Sequence, residues 1–164
     1  MNKLNMLLFA VAVVLSVVLQ AAVLPLLLDL PFRPDLLLVI TVFVALRCSF
    51  KAGTPLAWSL GLLKDVFSGV YLGINAFSFL IIFLLIKSMA GRLYAESSFL
   101  FVVTVIAASF VGVSCNFLLL LLFNLTNGIA YTMGFALIPH LLINAFAASL
   151  ATLLPGFFRE EEAV

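Results

Sequence analysis

The chain has 164 residues, of which 66% are hydrophobic and 9% charged, with a formal net charge of +1. A soluble domain carries roughly 25% charged residues, so seven acids and eight bases cannot clothe one of this length, and the outside is expected to face lipid. The near-neutral balance argues against nucleic acid as a partner, and the length fits a single polytopic domain over residues 1–164.

Lys3 opens an apolar run over residues 4–28. It far exceeds the roughly 7–15-residue core of a signal peptide, and no small-x-small cleavage site follows, so it reads as an uncleaved first helix. Residues 29–34, with Pro31 and Pro34, break it, since neither proline continues a helix normally. Residues 35–48 are apolar but short against the about 20 residues of a crossing. The second span is therefore expected to include Phe50 or to run near the membrane edge. Lys51, Gly53 and Pro55 mark a turn, Pro55 suiting a first helical turn. A third span over 53–70 and a fourth over 72–89 follow, then a polar connection over 87–96. The fifth span covers 99–123, residues 124–128 turn, and the sixth covers 131–154 before Pro155, Gly156 and an acidic tail.

Lys and Arg near span ends are retained in the cytoplasm. Six spans with both termini inside put Lys3, Arg47, Lys51, Lys87, Arg92 and Arg159 on cytoplasmic flanks and Arg33 alone outside, with Lys64 within the third span. Merging the second and third spans would move Lys87 and Arg92 outside, so the charge pattern selects six. The fold class is thus an all-α integral membrane protein, a compact bundle of about six transmembrane helices.

Small residues mark where membrane helices approach each other. At every fourth position the first helix carries Ala12, Ser16 and Gln20, and the third Gly53, Ala57, Gly61, Asp65 and Gly69. The fifth carries Thr104, Ala108, Gly112 and Asn116, and the sixth Ala136, His140, Asn144, Ala148 and Thr152. These four ridges are expected to line the interior.

Asp65 is the acid most clearly inside a span. Its readings are a structural acid capping a neighbouring helix or pairing with a base, a contact to a partner or ligand, or a relay for protons or ions. Lys64 adjoins it, but helix neighbours point about 100° apart, so the two do not form a natural pair; Lys64 can snorkel towards the surface instead. His140, the sole histidine, lacks the neighbours of a metal site and suits an interhelical hydrogen bond, as do Asn75, Asn116 and Asn144. Cys48 and Cys115 read as small packing residues. Asn124 and Thr126 match a glycosylation sequon, which by itself carries no weight. Neither a phosphate loop nor an HExxH or GxSxG motif occurs, so no catalytic residue, cofactor or metal is expected.

Two stretches, taken with the span layout, resemble the rod shape-determining protein family MreD. One is residues 32–39, whose Arg33, Pro34 and Asp35 lead into the second helix. The other is residues 61–77, with Gly61, Asp65, Gly69 and Gly73 in a pattern of glycine, acid, small-residue turn and Leu-Gly. Lys64 occupies a place that is ordinarily apolar or variable in that pattern. The resemblance implies a scaffold of the cell-elongation complex in the bacterial inner membrane, acting with MreC, MreB, RodA and its partner transpeptidase. It also implies a fold similar to the membrane S subunit of energy-coupling-factor transporters. A partner-binding role falls on Gly61, Asp65, Gly69 and Gly73, with MreC docking beside the third and fourth helices. A vitamin-binding S subunit is the rival reading, and an intramembrane enzyme relying on Asp65 or His140 a weaker third.

Overall fold

The computed structural model, which describes residues 3–28, 32–68, 72–89, 97–123 and 129–153 (for 3–6, 8 and 129–136 the backbone only), is helical through the turn expected at Lys51, Gly53 and Pro55. Six helices follow in order. The first, α1, runs through Lys3–Val18, a π-helical turn Leu19–Val23 and a last turn Leu24–Leu27. Pro25 explains the widened turn: it has no N–H to give and its ring crowds the carbonyl four residues back. The Leu24 N–H reaches Leu19 O instead, skipping one residue.

Helix α2, Leu36–Arg47, starts where Asp35 caps it, the side chain accepting from Leu38 N at 3.2 Å. It ends at Cys48, whose backbone is extended. Helix α3, Phe50–Ser68, begins earlier than the sequence indicates, so Phe50 belongs to the third helix and not to the second. Pro55 accordingly lies inside α3, beyond its first turn. Helices α4 (Ile74–Met89), α5 (Ser98–Leu122) and α6 (Ile129–Thr152) complete the order, α6 carrying Pro139 in its interior.

Phe9–Leu27, with mean hydropathy 2.5, and Ser98–Leu122, with 2.3, are long and apolar enough to cross a membrane. Leu36–Arg47, Ile74–Met89 and Leu137–Thr152 are apolar but shorter. At 12 residues α2 spans about 18 Å, against about 30 Å of hydrocarbon. This short helix sits centrally, packing against each of the five other helices. Val42, Val44 and Ala45 of α2 are fully enclosed, meeting a core built from Phe79, Ile82 and Phe83 of α4 and Val105 of α5. At its lower end Lys87 of α4 donates to Cys48 O at 2.6 Å, covering a carbonyl that the end of α2 leaves open.

The outside is oily around the molecule: Val14 and Leu26 on α1, Val66 on α3, Leu85 on α4, Phe110 on α5 and Phe146 on α6 are all exposed. A soluble monomer rarely leaves so much contiguous apolar surface uncovered. The chain is a helical membrane protein by this measure.

The ridge of α3 faces inward as its spacing predicts, with Gly53, Ala57, Gly61 and Asp65 all buried. So do Ala108 and Gly112 of α5 and Asn144 and Ala148 of α6. The ridge of α1 does so only at its end, where Gln20 reaches Asp35. Ala12 is exposed, and Phe9, Val13 and Val17 make the contact with the core instead. Gly69 and the segment 124–128, with Asn124 and Thr126, lie outside the described residues, as do Arg92 and Arg159; Ala136 is described in its backbone alone.

Candidate functional site

Two knots of polar side chains stand out in the interior. The first forms where α3 turns into α4. Asp65 is 1% exposed, and its carboxylate faces the first turn of α4. Oδ2 accepts from Gly73 N at 2.9 Å and Ala76 N at 3.1 Å. Oδ1 accepts from Asn75 N at 3.0 Å and Asn75 Nδ2 at 2.8 Å. A helix start leaves its leading N–H groups without partners, and an anion placed there also meets the positive end of the helix dipole. Of the readings open for Asp65, the geometry is that of an acid capping the next helix. The knot continues into α5: Asn116 donates through Nδ2 to Asn75 Oδ1 at 3.2 Å, and Ser78 Oγ donates to Asn116 Oδ1.

The glycines of this motif have different surroundings. A Cβ on Gly61 would lie 2.7 Å from Asn75 O and 2.8 Å from Ala76 N, so α3 and α4 touch backbone to backbone at that point. The close approach that Gly61 permits is thus already occupied within the chain. Gly73 has φ +102° and open space around it. A positive φ is what glycine adopts without steric cost, and it turns the chain so that three N–H groups converge on Asp65.

The second knot surrounds Asp35, which is 4% exposed. Its carboxylate accepts from Gln20 Nε2 of α1 at 3.2 Å, caps α2 through Leu38 N, and forms an ion pair with Lys64 of α3. Its N–H donates to Asn144 Oδ1 at 2.6 Å, and Asn144 Nδ2 donates to Ser109 Oγ at 2.9 Å and lies 3.2 Å from His140 Nε2. Five helices meet on these few atoms. Lys64 therefore does more than snorkel; it crosses to Asp35 and places its ammonium 5.1 Å from the centre of the Phe79 ring. Arg33 donates from Nε to Leu28 O at 2.9 Å, tying the entry of α2 to the end of α1.

Among the described residues, no buried side-chain nitrogen or oxygen lacks a hydrogen-bond partner. No group of three His, Cys, Asp or Glu there is placed to hold a metal ion. The expected interhelical roles of Asn75, Asn116 and Asn144 are the observed ones, whereas His140 meets Asn144 within its own helix. Gln20, a member of the first helix's expected ridge, joins the second knot, and Ser78 and Ser109 join as well. The two serines give a weak signal in the sequence, because a hydroxyl in an apolar helix also satisfies itself locally, as Thr41 does on Leu37 O at 2.8 Å.

Removing one member of a buried ion pair strands the other charge, which costs about 3–5 kcal/mol, whereas replacing both is often close to neutral. Lys64→Met is expected to lower the unfolding temperature of the purified protein more than the double change Lys64→Met with Asp35→Asn. Equal losses would mean that the pair is energetically uncoupled.

A family model described as rod shape-determining protein MreD matches residues 1–159 of the chain. No curated protein and no solved structure matches it.

Proposed function

The chain belongs to the MreD family of rod shape-determining proteins, and from that premise we propose that it is a non-enzymatic membrane scaffold of the bacterial cell-elongation complex. The observation that carries this reading is that both buried aspartates spend their carboxylates on clamping helices together. A bundle locked in this way offers partners a fixed outer surface.

MreC is the direct partner in this proposal, with MreB, RodA and its partner transpeptidase as further members of the complex. The docking face is the α3–α4 turn and the apolar side chains beside it. Asp65 holds the backbone of Gly73, Asn75 and Ala76 in place, and Phe67, Leu72 and Phe77 stand exposed around that turn. In this view Gly61, Asp65, Gly69 and Gly73 shape the surface from behind. The chain is one polytopic domain, similar in fold to the S subunit of energy-coupling-factor transporters, crossing the inner membrane six times with both termini in the cytoplasm.

Photo-crosslinking in growing cells tests the face. A crosslinker at Leu72 or Phe77 is expected to capture MreC, and one at Leu150, exposed on α6, is not. Capture from Leu150 with none from Leu72 or Phe77 would move the docking face to the other side of the bundle.

A further inference from the structure

Beside the Asp35 knot, between α1, α2, α3 and α6, lies a cavity of about 400 Å³. Gln20, Arg33, Asp35, Lys64, Ser68 and His140 line its polar side, and Leu24 and Phe67 are among its apolar lining. Pro34 also lines a second, apolar groove of about 610 Å³ between α1, α2 and α6. We propose that this pair of cavities binds an anionic phospholipid, its phosphodiester held by Arg33 and Lys64 and an acyl chain laid in the groove.

The charge balance points to an anion. The Asp35 carboxylate already accepts from Gln20, Leu38 N and Lys64, so Lys64 neutralises it. Arg33 remains as a positive charge with no carboxylate paired to it among the described residues. Its guanidinium has five N–H groups, of which Nε is committed to Leu28 O. That bond anchors the side chain and leaves the planar fork for an oxyanion with two acceptors, the geometry in which arginine binds phosphate. Lys64 has three N–H groups and spends one on Asp35, so a second cationic donor borders the same space.

The surroundings choose among anions. The cavity is walled by helices with oily outer faces and adjoins an apolar groove at Pro34. Basic pockets between transmembrane helices are suited to lipid headgroups. A free phosphate would use the polar cavity and leave the groove unused. Phe9 and Ala12 of α1 and Phe43 of α2 border that groove, with Phe146 and Leu150 of α6 opposite. These walls offer an acyl chain contact on several sides. The inference does not rest on the scaffold reading, although Phe67 borders both the cavity and the proposed partner face.

Native mass spectrometry of the full chain in non-ionic detergent tests it, with phosphatidylglycerol titrated against diacylglycerol of the same acyl chains. Phosphatidylglycerol is expected to bind about tenfold or more tightly, the size of one charge-assisted contact. Arg33→Gln should erase that preference, Arg33→Lys should keep part of it, and Lys51→Gln, at the opposite end of α3, should keep all of it. A rise in unfolding temperature with inorganic phosphate in the parent protein but not in Arg33→Gln, without a lipid preference, would uphold the phosphate contact and overturn the lipid as its source. Equal binding of both lipids with no response to phosphate overturns the site, as does an undiminished preference in folded Arg33→Gln.

Discussion

Replacing Asp65 by Ala is expected to destabilise the protein by about 3 kcal/mol or more, since each buried donor left without its acceptor costs about 1–3 kcal/mol. Four hydrogen bonds end on this carboxylate, from the N–H groups of Gly73, Asn75 and Ala76 and from the Asn75 side chain. The Ala76 N–H is buried, so without its acceptor it keeps its desolvation cost, while Gly73 and Asn75 are half-buried and lose less. Asp65→Asn keeps one oxygen and offers a donor where the other stood, facing the N–H groups of either Oδ1 or Oδ2. It is expected to fall between Ala and the parent protein. Asp65→Glu should not rescue, since an added methylene pushes the carboxylate into the start of α4. Thermal unfolding in detergent measures the order, alongside the steady-state amount of protein in membranes. An Asp65→Ala protein as stable as its parent would mean that the cap contributes nothing and that the acid is held for another purpose.

The second large effect belongs to Gly61. Its added Cβ would strike the Asn75 carbonyl oxygen and the backbone of Ala76, and backbone cannot rotate aside as a side chain can. Overpacking of this kind costs about 1–3 kcal/mol and sometimes more, so Gly61→Ala should lie at the upper end and Gly61→Leu beyond it. Gly112 provides the contrast. A Cβ there would meet the methyl ends of Ile82 and Leu38 at 3.4 and 3.5 Å, near ordinary contact. Alanine also favours helix over glycine by about 1 kcal/mol, so Gly112→Ala is expected to be neutral or mildly stabilising. Comparing the two variants by unfolding temperature separates a glycine needed for backbone contact from one that is merely small. If Gly61→Ala and Gly112→Ala behave alike, the α3–α4 crossing is looser than its geometry indicates.

These results also bear on how partner binding is to be probed. A Gly61→Leu change that weakens association with MreC would report the parting of α3 and α4 before it reported any lost contact. Exposed positions such as Leu72 and Phe77 are the informative ones, because changing them leaves the Asp65 cap and the Gly61 crossing intact.

Much of the molecule was determined by composition and spacing. Too few charges for an aqueous surface select a membrane environment, and Pro31, Pro34 and the polar stretches divide the chain into six helices whose bounds follow the breaks to within a few residues. The four-residue period of Gly53, Ala57, Gly61 and Asp65 marks the buried face of α3, because a helix returns nearly to the same side every four residues. Phe50 opens α3, which removes one of the two readings of the short second helix, that it extends to include Phe50. A chain leaving one helix and entering the next needs few residues, and nothing in the order of Cys48, Ser49 and Phe50 marks where the extended backbone falls. The tertiary structure alone decided which polar group answers which. Lys64 passes over its neighbour Asp65 for Asp35, 29 positions away, and the N–H of Asp35 finds Asn144 across 109 positions. Periodicity says which side of a helix a residue occupies, but not which helix stands opposite. That depends on the packing of all six around α2, where each buried donor must find its acceptor inside the protein because the surrounding lipid provides none.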